Sequence, residues 1–321
     1  MTFWQSLPKP LFVLAPMADV TDPAYRRLIV EYCTPSVMWT EFVSADGLYH
    51  TREKAQMNDA DNPLMRDLQF TENERPIVAQ LFSSTPEMMT YAAAFVAERG
   101  FDGVDINMGC PDKSIERQGC GAAMIKNPET ATRILAAART SGLPVSVKTR
   151  IGYDTEDIDG WIAHILALAP AALTVHLRTR KELSRVPAHW DLMPRITALR
   201  DRVSPDTLII GNGDVQSISE AHEKVRTYGC DGVMLGRAIF GSPWLFSGRT
   251  PEQVSPHERI RSLLRLTEYF SELHPAKSPH VLKKHVKAFI TGWDGASALR
   301  SQLMESSTLQ DFKEVLGRPA V

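Results

Sequence analysis

The sequence predicts a (β/α)8 TIM barrel followed by a small C-terminal helical domain. Two observations predict it: short, almost continuously apolar segments that suit buried parallel strands, and helical periodicity between them. Residues 1–250 hold this alternation, and about 250 residues is the usual size of such a barrel. A doubly wound open sheet is the alternative, but no G-x-G-x-x-G follows the first strand. The eight predicted strands are Leu11–Ala15, Val37–Phe42, Ile77–Phe82, Gly103–Asn107, Val145–Thr149, Ala172–His176, Thr207–Gly211 and Gly232–Gly236.

The connections between these strands carry apolar residues at helical spacing. The predicted helices are Pro86–Arg99, Pro128–Thr140, Trp161–Leu168 and Ile218–Tyr228. Residues 51–75 form a longer and more polar connection, in which we expect a helix end and a hairpin on Leu64–Phe70.

The pattern changes after residue 250, where a stretch with two prolines predicts a linker. Beyond it the sequence predicts helices at Glu258–Leu273, Val281–Ile290, Ala296–Glu305 and Thr308–Leu316. We therefore expect a barrel domain at residues 1–250 and a helical domain at residues 251–321. Lys283, Lys284 and Lys287 form a basic cluster in the second tail helix. A solvated helix face and a contact with nucleic-acid phosphates both remain open for this cluster.

The composition is that of a globular protein, with 43 % hydrophobic and 23 % charged residues. The net charge of −2 provides no global positive field, so a nucleic-acid site would have to be a local patch. The four cysteines show neither a C-x-x-C pair nor zinc spacing, which favours free thiols in a reducing cytoplasm and no metal site. We expect no membrane partner, because no apolar run approaches about 20 residues and no signal-peptide pattern opens the chain.

Polar side chains follow nearly every predicted strand at its carboxyl end, where a barrel of this class carries its chemistry. Their convergence predicts a binding or catalytic site. Glycines in Gly211-Asn212-Gly213-Asp214 and in Gly236-Arg237 let backbone N–H groups approach an anion, and the last two strands are the usual place for a phosphate. The polar strand-end residues are Glu41, Gln80, Asn107, Cys110, Lys148, Arg150, His176, Arg178, Asn212, Asp214 and Arg237.

Two of these residues keep several interpretations when they are considered alone. The thiol of Cys110 suits a core position, a metal ligand or a reacting group. Lys148 suits a Schiff base or a cation held against an electron-rich ring. A zinc site is disfavoured because no H-x-x-x-H pair occurs, and serine-hydrolase chemistry is disfavoured because G-x-S-x-G is absent.

Taken in order, these motifs resemble those of the tRNA-dihydrouridine synthases. The resemblance rests on Ala15-Pro16-Met17, the strand with Gln80, Asn107-Met108-Gly109-Cys110-Pro111, Val147-Lys148-Thr149-Arg150, Val175-His176, Asn212-Gly213-Asp214, Gly236-Arg237 and Gly241-Ser242-Pro243-Trp244-Leu245-Phe246. There are two departures. Leu177-Arg178-Thr179 stands where the family usually has Gly-Arg-Thr, and Leu183-Ser184-Arg185-Val186 replaces a common Tyr-Ser-Gly.

The resemblance implies a monomeric FMN enzyme that reduces the 5,6 double bond of uridine in tRNA, with NADPH as reductant. By that similarity Cys110 is the general acid, since a thiol with a pKa of about 8.5 is largely protonated at neutral pH, while Cys120 is structural. Asn107 and Arg178 would hold the flipped uracil, and the tail with Lys283, Lys284 and Lys287 would contact the folded RNA. The implied cofactor-binding residues are Ala15, Pro16, Met17, Gln80, Lys148, His176, Asn212, Gly213, Asp214, Gly236 and Arg237.

Two other functions remain as alternatives. One is an FMN-dependent barrel oxidoreductase that acts on a free pyrimidine, as dihydroorotate dehydrogenases do; the basic helical tail argues against it. The other is a non-catalytic RNA-binding relative. The presence of Cys110, Lys148 and the two phosphate turns argues against that alternative.

Overall fold

The computed structural model describes residues 2–274, 278 and 280–317, so residues 275–277, 279 and 318–321 of the expected tail lie outside the described residues. Within the described part, nine parallel strands form one sheet in the order β1-β9-β8-β7-β6-β5-β4-β2, with β3 also paired to β4. The backbone N–H of Ser36 donates to the carbonyl oxygen of Phe12 at 2.9 Å, which brings β2 beside β1. The sheet is therefore a nearly closed barrel, and the predicted fold is confirmed. The strands are β1 (Leu11–Leu14), β2 (Met38–Trp39), β3 (Val43–Ser44), β4 (Ile77–Phe82), β5 (Gly103–Met108), β6 (Val145–Arg150), β7 (Ala172–His176), β8 (Leu208–Asn212) and β9 (Gly232–Leu235).

The second predicted strand, Val37–Phe42, is interrupted and appears as β2 and β3. Thr40 lies at the interruption, and its Oγ1 accepts from the backbone N–H of Gln80 at 3.1 Å. A side-chain oxygen thus replaces a carbonyl in the ladder, which is the kind of local irregularity that re-aims the following residues. The other strands agree with the predictions to within one residue at each end.

Helices cover the outside of the barrel, and most begin at residues that cap a helix. Ser217 accepts from the backbone N–H of Glu220 at 3.1 Å, and the helix that follows ends at Gly229 with a φ of +70°. The helices are α1 (Phe3–Ser6), α2 (Pro23–Val30), α3 (Ala45–Tyr49), α4 (Pro63–Asp67), α5 (Pro86–Glu98), α6 (Lys113–Glu116), α7 (Pro128–Arg139), α8 (Ala163–Ala167), α9 (Met193–Val203), α10 (Ile218–Tyr228), α11 (Pro256–Leu273), α12 (His280–Phe289), α13 (Ala296–Glu305) and α14 (Leu309–Gly317).

The expected hairpin on Leu64–Phe70 is wrong, because this segment begins as helix α4. The side chain of Asn62 accepts from the backbone N–H of Leu64 at 3.1 Å, and Pro63 occupies the first helical position. Asn followed by Pro is a helix-start signal, and here it outweighs the apolar residues that suggested strands. The predicted helix Trp161–Leu168 begins earlier, with a π-helical turn at Ile158–Ile162 that runs into α8.

The C-terminal helices pack against α2 at the side of the barrel. Tyr25 of α2 stacks on His285 of α12 with a 5.1 Å centroid separation, and its hydroxyl donates to the carbonyl oxygen of Ile239. Arg249 pairs with Glu258 at 2.6 Å across the predicted linker. The division at residue 250 into two domains stays a prediction. None of the helices in the described residues is long and apolar enough to cross a membrane.

Candidate active site

A cavity of about 300 Å³ opens at the carboxyl ends of the strands, and its volume lies at the lower end of the range for ligand sites. Four cationic side chains and one carboxylate line it, so the cavity favours an anionic ligand. The sequence-predicted residues that line it are Ala15, Pro16, Met17, Lys148, His176, Arg178, Asn212, Gly213, Asp214, Gly236 and Arg237. Among the described residues it is lined further by Pro111, Arg150, Leu183, Ser184, Val215, Gln216 and Met234.

The turn after β8 forms one wall of the cavity, and it accepts only glycine at position 213. Gly213 has a φ of +137°, and a Cβ there would lie 2.6 Å from the Cβ of Ala188. The indole Nε1 of Trp190 donates to the Gly213 carbonyl oxygen at 2.9 Å. Asn212 Nδ2 donates to the carbonyl oxygen of Met234 at 2.8 Å and joins this turn to β9. The result is a fixed backbone cradle beside Gly236 and Arg237.

Arg178 lies at this same end of the cavity. Its guanidinium donates to the carboxylate of Asp214, to the carbonyl oxygen of Val186 at 2.6 Å, and to Nε2 of His176 at 3.2 Å. Arg237 donates to the other carboxylate oxygen of Asp214 at 2.8 Å. Asp214 therefore holds two arginines in place. Burial raises the pKa of Asp214, but the hydrogen bond from Arg178 and the charges of both arginines outweigh burial, so its pKa lies below the ordinary value.

The contact between Arg178 and His176 fixes the protonation state of the imidazole. A guanidinium only donates hydrogen bonds, so Nε2 of His176 must accept and carries no proton. Burial and the charges of Arg150, Lys148 and Arg178 hold the pKa of His176 well below its ordinary value. His176 is therefore neutral at physiological pH, with its proton on Nδ1.

Lys148 lies in β6, two residues before the strand ends, and its side chain lines the cavity. Burial, and then the charge of Arg150, lowers its pKa to about 8, while Asp105 and Cys110 act in the opposite direction. At neutral pH the ammonium group stays mostly charged, and a bound anion would stabilise this buried charge.

Cys110 lies beside the cavity in a turn whose backbone is held from both sides. Its N–H donates to Asn107 Oδ1 at 3.0 Å, and its carbonyl oxygen accepts from the N–H of Ala122 at 2.9 Å. A Cβ on Gly121 would lie 2.6 Å from that carbonyl oxygen, so only glycine permits this approach. Burial raises the pKa of the Cys110 thiol above its ordinary value, so the thiol is protonated at neutral pH. Cys110 is not itself part of the cavity lining, although its neighbour Pro111 is, so its role as proton donor stays a prediction.

Gln80 and Asn107 are buried and are not part of the cavity lining. Gln80 Nε2 donates to Asp105 at 2.7 Å, and Asn107 Nδ2 donates to Gln80 Oε1 at 3.1 Å. Their amide groups hydrogen-bond to each other, and that of Asn107 also accepts from the backbone of the Cys110 turn. The expected contacts of Gln80 with a flavin and of Asn107 with uracil stay predictions. So does the uracil contact of Arg178, whose guanidinium lies with His176 and Asp214.

The two departures from the family pattern have separate consequences. Leu177 is fully buried and fills the core where the family usually has glycine. Leu183 and Ser184 line the cavity, and Leu183 has a φ of +57°. The second departure therefore changes the cavity wall itself.

The three lysines of the basic cluster in the tail differ in their surroundings. Lys283 donates to the carbonyl oxygen of Met304 at 2.6 Å, whereas Lys284 and Lys287 are exposed on α12. Helix α12 packs directly on the turn after Arg237, because a Cβ on Gly241 would collide with the Ala288 carbonyl oxygen. The helix that carries the lysines is thus anchored to the cavity rim.

Sequence reasoning counted Arg150 among the polar strand-end residues but not among the site residues, and it did not single out Asp105. Arg150 was visible as a strand-end cation two residues after Lys148. Asp105 could have been found as a carboxylate inside an otherwise apolar strand, on the same face as Asn107.

Comparisons with known proteins agree with this geometry. The family described as dihydrouridine synthase (Dus) matches residues 13–320. The chain is 41 % identical over 320 residues to a probable tRNA-dihydrouridine synthase 2 of Bacillus subtilis strain 168, covering 98 % of this chain and 95 % of the relative. It is 38 % identical over 318 residues to a probable tRNA-dihydrouridine synthase of Staphylococcus epidermidis strain ATCC 35984, with the same coverage of both chains.

Solved structures share the fold at low sequence identity. Histamine dehydrogenase from Rhizobium sp. 4-9 superposes with a TM-score of 0.54 at 12 % identity, over 80 % of this chain and 48 % of that chain. A morphinone reductase variant in complex with tetrahydroNAD gives a TM-score of 0.51 at 12 % identity, over 74 % of this chain and 85 % of that chain. The family match and the two relatives, each covering nearly the full length, decide the assignment: the chain belongs to the dihydrouridine synthase family.

Proposed function

We propose that this protein reduces the 5,6 double bond of specific uridines in tRNA to dihydrouridine. FMN is the bound cofactor, NADPH is the reductant and Cys110 is the general acid. The observation that carries the proposal is a protonated thiol, Cys110, next in sequence to Pro111 of a cation-lined cavity, in a chain of this family.

The residues around the cavity fit FMN. The cradle at Gly213 and Gly236, with Arg237, would hold the phosphate through backbone N–H groups and one guanidinium. The imidazole of His176 lies beside the same cradle. Lys148 would face the polar edge of the flavin ring and favour its reduced, anionic form by charge. Ala15, Pro16 and Met17 would pack behind the ring.

When bound and reduced by NADPH, the flavin supplies a hydride to one carbon of the uracil double bond. The ring then carries enolate-like negative charge, and Cys110 donates the thiol proton to the neighbouring carbon. The uracil gains one hydride and one proton, and the thiolate regains its proton from water. The positive charges of Lys148 and Arg150 stabilise the thiolate in the interval between these two transfers.

The substrate must bring a single base to the barrel mouth, so the uridine leaves its stack, which is easiest in a loop of a folded RNA. Lys284 and Lys287, with Lys283 behind them, would contact the phosphates around that loop. The RNA-binding lysines would thus lie next to the reaction site, at the rim formed by α12 and the Arg237 turn. We place the reaction in the cytosol, which suits four free thiols, and expect a monomer.

The proposal is tested by incubating the purified holoprotein with unmodified tRNA and NADPH, and by measuring dihydrouridine in the digested RNA by mass spectrometry. Wild type and Cys33→Ala, which removes a thiol three residues after the outer helix α2, should form dihydrouridine. Cys110→Ala should lose product formation by about a hundredfold or more while it keeps the flavin absorbance. A wild-type protein that reduces free uridine but not tRNA would indicate the free-pyrimidine alternative, and one that reduces neither would overturn the proposal.

A further inference from the structure

A buried carboxylate lies inside the barrel beneath Cys110. Asp105 on β5 is flanked in the strand register by Gln80 on β4 and Ser146 on β6, and its side chain is fully buried. One carboxylate oxygen accepts from Gln80 Nε2 at 2.7 Å, and the other accepts from Ser146 Oγ at 2.6 Å. A carboxylate in a barrel core is costly even with these partners, so its presence calls for a function.

The hydrogen bonds continue from Asp105 to the thiol-bearing turn. Asn107 Nδ2 donates to Gln80 Oε1 at 3.1 Å. Asn107 Oδ1 then accepts from the backbone N–H groups of Gly109 at 3.2 Å and Cys110 at 3.0 Å. An unbroken row of side chains thus joins the carboxylate to the backbone of Cys110.

The two ends of this row permit only one orientation of the amides. An ionised carboxylate only accepts, so Gln80 must present its NH₂ group to Asp105 and its oxygen to Asn107. Backbone N–H groups only donate, so Asn107 must present its oxygen to the Cys110 turn and its NH₂ group to Gln80. The same orientation of the amides satisfies the carboxylate at one end and the backbone N–H groups at the other. A neutral side chain in place of Asp105 would remove the requirement at the carboxylate end.

We propose that Asp105 is a positioning residue for the reduction: it fixes the orientation of Gln80 and Asn107 and thereby holds the Cys110 turn in its reactive place. This inference rests on the proposed role of Cys110 as proton donor. Burial raises the pKa of Asp105 to about 6, against hydrogen bonds from Ser146 and Gln80 and the charge of Lys148, so the carboxylate is mostly ionised at pH 7.

The chain offers a matched control in the same buried layer. Asp105→Asn keeps the size of the side chain but can donate as well as accept, so it no longer dictates the orientation of Gln80. Ser146→Ala removes the other hydrogen bond to Asp105 and leaves the row through Gln80 and Asn107 intact. If Asp105 only filled the core, the two variants would have similar effects.

The test measures kcat and KM for unmodified tRNA, together with the alkylation rate of Cys110 by iodoacetamide in the tRNA-free holoprotein. Asp105→Asn should lower kcat roughly ten- to a hundredfold, leave the KM for tRNA unchanged and raise alkylation of Cys110 severalfold, because the turn loosens. All variants are compared at pH 8.5, because loss of the Ser146 hydroxyl raises the pKa of Asp105 and the carboxylate must stay ionised. Under these conditions Ser146→Ala should keep both rates near those of wild type. An Asp105→Asn protein with wild-type kcat and alkylation would overturn the inference, as would equal losses in both variants. Failure of the proposed function would instead appear as a wild-type protein without turnover.

Should Asp105→Asn fail to fold, Asn107→Asp tests the same row one bond further along. It keeps an acceptor for the N–H groups of Gly109 and Cys110 but places a second acceptor against Gln80 Oε1. Faster alkylation of Cys110 than in wild type supports the inference. An unchanged alkylation rate overturns it, because the orientation of the amides would then not control the turn.

Discussion

The Nε–H of Arg150 donates to the carbonyl oxygen of Gly109 at 2.8 Å, one residue before Cys110. The same guanidinium donates to the carbonyl oxygens of Thr179 at 3.1 Å and Leu183 at 3.2 Å. One buried side chain therefore joins the turn of the proposed acid to the loop after β7. Burial lowers the pKa of Arg150 to about 10, which leaves it charged at neutral pH.

Replacing Arg150 by methionine should slow turnover and destabilise the protein. The change removes every donor of the guanidinium and leaves three carbonyl oxygens without this partner, at a cost of about 1–3 kcal/mol for each buried group that stays unsatisfied. We expect kcat for tRNA to fall by roughly tenfold or more, because the Cys110 turn shifts. Arg195→Met is the control, since its ion pairs with Glu156 and Asp159 are exposed and exposed pairs contribute about 0–1 kcal/mol. Equal kcat values in both variants would contradict the account.

The charge of Lys148 should make FMN affinity depend on pH. The pKa of about 8 in the free protein means that the ammonium is charged below pH 8 and neutral above it. The attraction for an anionic cofactor is therefore fully present below pH 8 and declines as the pH rises above 8. Fluorescence titration with FMN from pH 7 to 9.5 measures this dependence.

In the Lys148→Met variant, the affinity for FMN should be at least about tenfold weaker at pH 7, since a charged hydrogen bond contributes about 1.5–3 kcal/mol. It should also lose most of the decline above pH 8. A wild-type affinity that is constant over this range would refute the placement of Lys148 against the cofactor.

Gly213→Ala should abolish FMN binding. A Cβ would lie 2.6 Å from the Cβ of Ala188, at a φ of +137°. Gly142→Ala separates the loss of the site from backbone strain, because Gly142 also has a positive φ, of +77°, with no atom within 4 Å of the added Cβ. We expect Gly142→Ala to cost about 1–2 kcal/mol of stability and to retain the flavin. Retention of flavin by Gly213→Ala, measured as the ratio of flavin to protein absorbance, would show that the cradle is not the phosphate site.

The double variant Lys284→Ala, Lys287→Ala should raise the KM for tRNA and leave kcat unchanged. If each lysine contacts one phosphate, the salt dependence of tRNA binding should weaken by about 0.7–0.9 in log–log slope per lysine. Arg265→Ala is the control, because its charge is already paired with Glu31 and Glu268. An unchanged salt slope in the double variant would place the RNA elsewhere.

The barrel could be predicted from sequence because buried parallel strands are apolar throughout and their spacing is regular. The error at Leu64–Phe70 and the break at Thr40 have local causes: a helix-start dipeptide and a hydroxyl that replaces a carbonyl in the ladder. Strand periodicity contains neither signal. Such features depend on individual side-chain hydrogen bonds, which a pattern of apolar residues does not record.

Much of the cavity lining could be predicted because strand ends converge in this fold, but the hydrogen bonds among its polar side chains could not. Sequence placed Asn107 and Arg178 together at the substrate. That placement stays a prediction; what the structure adds is that Asn107 accepts from the backbone of the Cys110 turn and that Arg178 donates to His176 and Asp214. Which polar side chains bond to each other depends on register between strands that are distant in sequence.

The most direct test of the central claim follows the reoxidation of the reduced holoprotein in the absence of oxygen and NADPH. Mixing with unmodified tRNA should restore the absorbance of oxidised flavin and yield one dihydrouridine per flavin reoxidised. The same tRNA, already fully converted by prior incubation with enzyme and NADPH, should leave the flavin reduced. A flavin that stays reduced with unmodified tRNA, in a holoprotein that NADPH reduces normally, would contradict the account.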